Sequence, residues 1–198
     1  MQETWIIGAD EVGYGAWCGP ICVGAVCAPE NWHLLGLNDS KQVTKRNREK
    51  LSEQLWAQQK AGNIFISVKM LANTEIDTQG VAVCQRQLFI DTINSCYEQY
   101  AGQDVIAIVD GCLVLNKAIL KPNYKSVVKA DTKISTVMAA SIIAKVHRDN
   151  YMAEQGRLYP EYDFGQNAGY RSPKHLKALR ALGKTPLHRL SYKIKELE

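Results

Sequence analysis

The sequence predicts a mixed α/β sheet flanked by helices, with a helical, basic C-terminal part. Short apolar, β-branched runs typical of buried strands alternate with longer stretches in which apolar residues recur at helical spacing. The length of 198 residues, 46% of them hydrophobic, suits one domain with a substantial core. We therefore expect residues 1–198 to form a single domain, in which a helical segment from about residue 155 to 198 packs on the rest.

The first 100 residues predict three strands and two helices. Apolar, β-branched runs place the strands at residues 4–9, 21–28 and 64–70, and apolar residues three or four apart place the helices at 44–60 and 78–100. The first two strands are separated by a glycine-flanked turn, Gly13-Tyr14-Gly15. Such a turn lets the backbone approach a ligand closely.

The second half predicts a buried central strand, a short strand and two further helices. The continuous apolar run at 105–109 is typical of a central strand, and a shorter run follows at 124–129. A long helix is predicted over 135–154, where small residues would permit close packing: Ala139, Ala140, Ser141 and Ala144. Ser172-Pro173 is expected to begin the last helix and Gly183 to end it.

Charge is distributed unevenly along the chain, although the net charge is only +4. Residues 1–116 carry 8 Lys and Arg against 13 Asp and Glu, whereas residues 117–198 carry 16 against 7. An acidic half that could hold metal is thus joined to a basic half that could hold a polyanion. Solvated helix faces would also explain many of the lysines.

Location is predicted from the cysteines and from apolar runs. No run approaches the ~20 apolar residues that span a bilayer, and the N-terminal residues do not resemble a signal peptide. The six cysteines include no C-x-x-C pair, and a chain of this size needs no disulfides. We expect reduced cysteines, a cytoplasmic protein, no membrane association and a monomer.

Carboxylates occur where predicted strands end. Asp10-Glu11 and Asp110 each follow an apolar run, and Asp131 lies at a junction between a strand and a helix. Ligands of open α/β sheets sit beyond strand ends, so these side chains could converge on one site. Four carboxylates without nearby histidine or thiolate ligands would favour Mg²⁺ or Mn²⁺ over Zn²⁺. Two such ions could activate a water for phosphodiester hydrolysis.

A purely structural interpretation of the same carboxylates stands beside the metal site. Asp10 could cap a turn, Glu11 could be solvated, Asp110 could begin a type I turn and Asp131 could cap a helix. Spacing alone does not separate the two interpretations.

Motif-like segments follow one another along nearly the whole chain. The first runs from Gly8 to Gly15 through Asp10-Glu11 and is followed by Cys18-Gly19-Pro20. The later ones are Leu37-Asn38-Asp39-Ser40-Lys41, Val109-Asp110-Gly111, Val128-Lys129-Ala130-Asp131 with residues 139–149, residues 159–164, Gly169-Tyr170 and residues 187–192. In sequence and order they resemble the motifs of type 2 ribonuclease H (ribonuclease HII).

This resemblance implies an RNase H-like fold and a metal-dependent endoribonuclease. The family cleaves the RNA strand of RNA–DNA hybrids and single ribonucleotides embedded in duplex DNA, leaving 3′-OH and 5′-phosphate ends. By motif position, the metal-binding catalytic acids would be Asp10, Glu11, Asp110 and Asp131. The implied cofactor is Mg²⁺ or Mn²⁺.

The resemblance also implies substrate contacts. The backbone of the turn Gly13-Tyr14-Gly15 would recognise a ribose 2′-hydroxyl, which distinguishes RNA from DNA. Tyr170 would stack on the sugar beside the scissile junction. Candidate phosphate contacts or supports of the site are Lys41, Lys45, Lys129 and Lys145, although Lys45 could equally be a solvated helix cation.

Two departures from the family pattern bear on substrate choice. The usual Gly-Arg-Gly turn has Tyr14 in place of arginine, and the usual His-Lys-Gly-Tyr appears as Asn167-Ala168-Gly169-Tyr170. Tyrosine cannot replace a guanidinium that grips phosphate bidentately. We predict that hybrid cleavage survives while incision at a single ribonucleotide is weakened, a preference like that of ribonuclease HIII.

Two other functions remain as alternatives. A metal-dependent phosphatase could use the same acids, and a non-catalytic module could bind hybrids without cutting them. Among the other polar residues, His147 and His188 are expected to be structural or phosphate-facing because neither has a partner at ligand spacing. Asp149 is expected to pair with Lys145 or Arg148, and Asp39 to cap a helix.

Overall fold

A five-stranded mixed sheet lies at the centre of the protein. The computed structural model describes residues 4–37 and 43–197. The strands follow the order β3-β2-β1-β4-β5: the first three are antiparallel, and β1, β4 and β5 are parallel. Their bounds are Thr4–Val12 (β1), Ile21–Pro29 (β2), Phe65–Leu71 (β3), Asp104–Asp110 (β4) and Asn123–Val127 (β5). The predicted mixed α/β sheet is confirmed.

Helices cover both faces of this sheet. Their bounds are Lys45–Lys60 (α1), Asn73–Gln79 (α2), Val81–Gln99 (α3), Ser135–Leu158 (α4), Phe164–Asn167 (α5) and Pro173–Leu182 (α6). The Thr44 side chain caps α1, and the Ser172 side chain accepts a hydrogen bond from the backbone N–H of His175 at 3.1 Å. The predicted beginning and end of α6 are therefore confirmed. None of the helices in the described ranges is long and apolar enough to cross a lipid bilayer.

The structure corrects three element boundaries. Strand β1 does not stop at residue 9, because its pairing with β2 continues through Asp10 and Glu11 to Val12. The predicted helix over 78–100 begins later, at Val81, because Gly80 with its positive φ (84°) separates it from the short helix α2, which was not predicted. Strand β5 ends before Lys129, whose own left-handed conformation (φ 58°) turns the chain into a 3₁₀ turn.

The hydrophobic core lies on both faces of the sheet. One cluster joins β1, β2 and β4 to α3, with Phe89 and Ile93 fully buried. On the other face, α4 and α1 cover β2 and β3, and Leu55 and Ile142 are fully buried there. A third cluster around Phe164 packs the C-terminal elements against the end of α4. All six cysteines are free, and Cys112 alone among them is exposed.

Helix α4 lies unusually close to the sheet, because glycines of β1 and β2 provide no side chain beneath it. A Cβ atom on Gly8 would come within 2.3 Å of the Val137 backbone nitrogen, and one on Gly24 within 2.6 Å of the Ala140 carbonyl oxygen. The predicted close packing of the small residues in this helix is confirmed, since all of them are buried: Ala139, Ala140, Ser141 and Ala144.

We predict that Gly8→Ala lowers the free energy of unfolding by roughly 3 kcal/mol or more, because the new methyl group would overlap backbone that cannot move aside. Urea unfolding measures this change. Gly165→Ala is the control, since its Cβ would meet nothing closer than the Ala153 Cα at 3.9 Å, and it should alter stability by no more than about 1 kcal/mol. Equal effects of the two substitutions would contradict the prediction.

Candidate active site

Asp10 and Asp110 lie side by side at one end of the sheet. Their strands β1 and β4 are parallel neighbours, and the last residues paired between them are Ala9 and Val109, each one residue earlier. Neighbouring strands are about 4.8 Å apart, and residues at matching register extend to the same face. The sheet therefore brings together two carboxylates that are 100 positions apart in sequence.

The third acidic position is held in place through Asp110. The Asp110 Oδ1 atom accepts a hydrogen bond from the Ala130 N–H at 2.7 Å, in the residue just before Asp131. The left-handed conformation of Lys129 directs the chain into this 3₁₀ turn, in which Asp131 is 4% exposed. A strand end, a turn and one charge-assisted hydrogen bond thus hold Asp131 beside the sheet terminus.

Asp10 lies in an unfavourable electrostatic environment. Burial, together with the charges of Glu11 and Asp110, raises the pKa of its carboxyl group to about 7. Hydrogen bonds from the Ser141 side chain and from the Glu11 N–H (2.8 Å) act in the opposite direction but do not cancel this rise. An added positive charge would therefore stabilise the Asp10 carboxylate.

The chemistry of these side chains fits a hard divalent cation. They offer only oxygen ligands, which suit Mg²⁺ or Mn²⁺, and the raised pKa of Asp10 shows that its negative charge lacks compensation. No three of the four carboxylates have oxygens mutually within 4.8 Å. Water ligands, which Mg²⁺ usually retains, would have to complete the coordination of an ion bound there.

The glycine turn after β1 is held from behind by Arg189 and Tyr170. The Arg189 side chain donates hydrogen bonds to the carbonyl oxygens of Gly13 (2.7 Å), Tyr14 (2.8 Å) and Gly19 (3.1 Å). The Tyr170 hydroxyl accepts a hydrogen bond from the Gly13 N–H at 2.9 Å. The turn at residues 13–15 is therefore a fixed part of the site rather than a free loop.

Arg148 holds the following stretch of the same loop. Its guanidinium donates to the carbonyl oxygens of Pro20 (2.8 Å), Ala168 (2.8 Å) and Cys18 (3.1 Å). Arg148 and Arg189 are both fully buried. They were missed as site residues, because a buried arginine that binds main-chain oxygens cannot be distinguished in sequence from a surface cation.

Most of the other predicted substrate residues are accessible to solvent. Tyr14 (40% exposed) and Gly15 are at the surface, as are Lys45 and Lys129. Lys145 forms an ion pair with Asp149 at 2.8 Å, as predicted for Asp149, and its Nζ atom is 5.8 Å from the centre of the Tyr170 ring. Lys41 and Asp39, with the rest of residues 38–42, lie outside the described residues.

A buried cluster of Cys18, His175 and His188 was also missed by the sequence reasoning. The two imidazole Nε2 atoms are 3.0 Å apart, although the residues are 13 positions apart and show no ligand spacing. The Thr185 N–H donates to His188 Nδ1 (2.8 Å), so His188 donates from Nε2 to His175, whose Nδ1 donates to the Tyr170 carbonyl oxygen (2.9 Å). His188 is structural, as expected.

This cluster has ligand types that suit zinc, but its environment disfavours a cation. The ligand atoms of Cys18, His175 and His188 lie within 4.8 Å of one another. However, each ring nitrogen already has a hydrogen-bond partner. Burial raises the pKa of the Cys18 thiol to about 12 even though the positive charges of Arg148 and Arg189 lower it, and the same two charges would repel a metal cation. We interpret the cluster as neutral packing beneath Tyr170.

Known proteins resemble this chain over nearly its whole length. A family model described as Ribonuclease HII matches residues 7–195. A ribonuclease HII of Clostridium beijerinckii is 39% identical over 197 residues, which cover 98% of this chain and 69% of that protein. The chain spans about two thirds of the length of the curated relatives it matches.

Solved structures show the same similarity. The ribonuclease H2 of Pyrococcus horikoshii OT3 has a TM-score of 0.76 and 27% identity, covering 96% of this chain and 94% of that one. The structure of the PCNA:RNase HII complex from Archaeoglobus fulgidus gives a TM-score of 0.75 and 26% identity, with 96% and 95% covered. The fold is RNase H-like.

We predict that Asp10→Asn stabilises the cation-free protein, and more so at higher pH. Between pH 3.8 and about 7 the unfolded chain has released the Asp10 proton while the folded protein retains it, so wild-type stability falls as the pH rises through this window. Asparagine removes that penalty. We expect a gain on the order of 4 kcal/mol at pH 8 and less than half of that at pH 5.

Urea unfolding in EDTA at both pH values measures this difference. Added Mg²⁺ should stabilise the wild-type protein at pH 8 more than it stabilises Asp10→Asn, because the variant has lost one of the four proposed carboxylate ligands. A gain that is the same at pH 5 and pH 8 would contradict the prediction.

Proposed function

The chain belongs to the ribonuclease HII family, and we propose on this basis that Asp10, Glu11, Asp110 and Asp131 form its metal-dependent catalytic site. Its activity is that of a ribonuclease H, a hydrolase that cuts the RNA strand of RNA–DNA hybrids endonucleolytically. The expected products carry 3′-OH and 5′-phosphate ends. Enzymes of this family depend on divalent metal, and we propose Mg²⁺ or Mn²⁺ for this chain.

The observation that supports this site most strongly is the position of Asp10 beside Asp110. The carboxylates lie at matching register in adjacent strands, and the Asp10 pKa is raised to about 7 by burial and by the charges of Glu11 and Asp110. A purely structural aspartate would be expected to have a solvated or ion-paired carboxylate. An acidic cluster that lacks compensating charge instead favours a cation site.

The residues of this chain orient the proposed ligands. When bound, divalent cations would activate a water molecule and stabilise the leaving oxygen of the phosphodiester. The Ser141 side chain on α4 and the Glu11 N–H orient Asp10, and the Ala130 N–H orients Asp110. These contacts fix the direction of the carboxylates before substrate arrives, which reduces the reorganisation needed during the reaction.

We propose that the glycine turn and Tyr170 bind the substrate next to these acids. The exposed backbone of Tyr14 and Gly15 is suited to recognise a ribose 2′-hydroxyl, and the half-buried Tyr170 ring to stack on the neighbouring sugar. Exposed Lys45 and Lys129 are proposed phosphate contacts, and so are Lys41 and Lys145. The ammonium group of Lys145 also forms an ion pair with Asp149.

Neither alternative enzyme assignment is favoured. The matching family model and the curated relatives are ribonuclease HII rather than ribonuclease HIII or a phosphatase. We propose a monomeric, cytoplasmic enzyme that acts on RNA–DNA hybrids and on duplex DNA with embedded ribonucleotides. The free, mostly buried thiols support a reducing location.

We predict that Asp110→Asn lowers hybrid cleavage at least about a hundredfold, because a neutral amide is a poor ligand for a hard dication. Cleavage of a labelled hybrid in Mg²⁺ measures the rate. Asp104→Asn is the matched control: this residue begins the same strand at its exposed opposite end, so its cleavage rate should stay within about twofold. Full activity of Asp110→Asn would rule out the proposed site.

We predict that Tyr14 makes the enzyme slower at a single embedded ribonucleotide than on a long hybrid. Replacing it by arginine, Tyr14→Arg, should raise incision at the single ribonucleotide roughly tenfold, because a guanidinium can grip phosphate with charge-assisted hydrogen bonds. Cleavage rates on the two substrates, in Mg²⁺ and in Mn²⁺, test this. Wild-type incision of the single ribonucleotide at an equal or higher rate would refute the prediction.

A further inference from the structure

Arg189 carries a buried positive charge whose described contacts include no carboxylate. Its side chain is fully buried, and its hydrogen-bond partners are the carbonyl oxygens of Gly13, Tyr14 and Gly19 and the Tyr192 hydroxyl at 2.9 Å. Three of its four hydrogen bonds thus end on the backbone of one loop. That loop follows directly after the acids of β1.

Burial of a guanidinium without an anion is energetically unfavourable. The need to fill space therefore does not explain why an arginine occurs at this position. An apolar side chain could fill the same volume without the desolvation cost. What arginine adds is a rigid, planar set of donors that can hold several carbonyl oxygens in one fixed geometry. Arg189 holds two consecutive carbonyl groups, those of Gly13 and Tyr14, in this way.

These two hydrogen bonds determine where the next N–H groups point. In a trans peptide the C=O and N–H bonds point in opposite directions, and the protein has no cis peptides among its described residues. The Gly13 and Tyr14 carbonyls face inward to Arg189, so the N–H groups of Tyr14 and Gly15 face outward. Both residues are exposed, and neither N–H donates a hydrogen bond to any residue in the described ranges.

Further contacts keep the two peptide planes from rotating. The Tyr192 hydroxyl is 2.6 Å from the Tyr14 carbonyl oxygen and donates to it, and the Tyr170 hydroxyl accepts from the Gly13 N–H. The Arg189 guanidinium in turn lies over the Tyr192 ring, 5.0 Å from its centre. The turn is thus held through both the N–H of Gly13 and the carbonyl oxygens that follow it.

We propose that Arg189 is a positioning residue for sugar recognition. It fixes the outward direction of the Tyr14 and Gly15 N–H groups, which then form a preformed pair of donors for the 2′-hydroxyl oxygen of a ribonucleotide. Arg189 thereby sets how strongly the enzyme distinguishes RNA–DNA hybrid from all-DNA duplex without touching the substrate itself. This inference rests on the proposed function, in which the same turn meets the substrate.

Arg148 provides a matched control within the same structure. It is equally buried and holds the same loop, but through the carbonyl oxygens of Cys18 and Pro20 and through that of Ala168. It does not bind the carbonyls of Gly13 or Tyr14. Loss of Arg148 should therefore destabilise the protein as loss of Arg189 does, but it should affect the two N–H groups less, because Arg148 acts on the turn only indirectly, through the later part of the loop and through the Tyr170 ring, 5.3 Å from its guanidinium.

The test compares Arg189→Lys with Arg148→Lys in the full chain. Lysine keeps the charge but cannot hold two carbonyl oxygens in a planar fork. Dissociation constants for an RNA–DNA hybrid and for a DNA duplex of the same sequence are measured in EDTA. In Arg189→Lys we expect the preference for hybrid to fall roughly tenfold, with DNA affinity little changed, whereas in Arg148→Lys the preference should fall by no more than about twofold.

Kinetics in Mg²⁺ supply a second readout. Arg189→Lys should raise the KM for hybrid more than it lowers kcat, because the lost contacts act on binding of the sugar. The inference is overturned if both lysine variants lose hybrid preference equally, if neither does, or if the wild-type protein binds hybrid and DNA equally in EDTA, since a preformed donor pair needs no metal.

Tyr192→Phe keeps the test decisive if Arg189→Lys does not fold. The Tyr192 ring is only half-buried, and the substitution removes the hydroxyl that donates to the Tyr14 carbonyl oxygen. We expect a two- to fivefold loss of hybrid preference and a modest loss of stability, since the hydroxyl also accepts a hydrogen bond from Arg189. A fully retained preference would overturn the inference. A wild-type protein unable to cut any hybrid would instead overturn the proposed function, which separates the two failures.

Discussion

The site depends on the attachment of one backbone loop to two buried guanidinium groups. Arg148, on α4, and Arg189, near the C-terminus, together hold five carbonyl oxygens of the segment between β1 and β2. Charged side chains in the interior are tolerated only where their hydrogen bonds are satisfied. Here the main-chain dipoles satisfy them. The C-terminal part of the chain is thereby tied to the loop that follows the first two acids.

Helix α4 supports the acids and the loop at the same time. Its contact with the sheet over Gly8 and Gly24 brings Ser141 close enough to bond Asp10, and two turns further along it presents Arg148 to the loop. A side chain on either glycine would push the helix outward and move both contacts together. The small size of two strand residues thus affects a carboxylate and a loop that they do not touch.

Much of the fold and of the candidate site could be predicted from sequence, because both depend on local signals. Apolar runs that end in acids located the strands near Asp10 and Asp110, and the capping residues located α6. The break at Gly80 and the early end of β5 at Lys129 were not predicted, since left-handed backbone conformations are decided by packing around the turn. The contact between His175 and His188 was not predicted either, because it joins segments with no shared periodicity.

The distribution of free thiols has a practical consequence. The buried cysteines are shielded from reagents, and burial raises the pKa of Cys22 and Cys27 to about 12, so their reactive thiolate form is scarce at neutral pH. Cys112 is exposed, two residues beyond Asp110. A maleimide fluorophore would therefore attach at this position in the unmodified chain, and its emission would report whether the proposed nucleic-acid substrate covers the end of the sheet at which Asp110 lies.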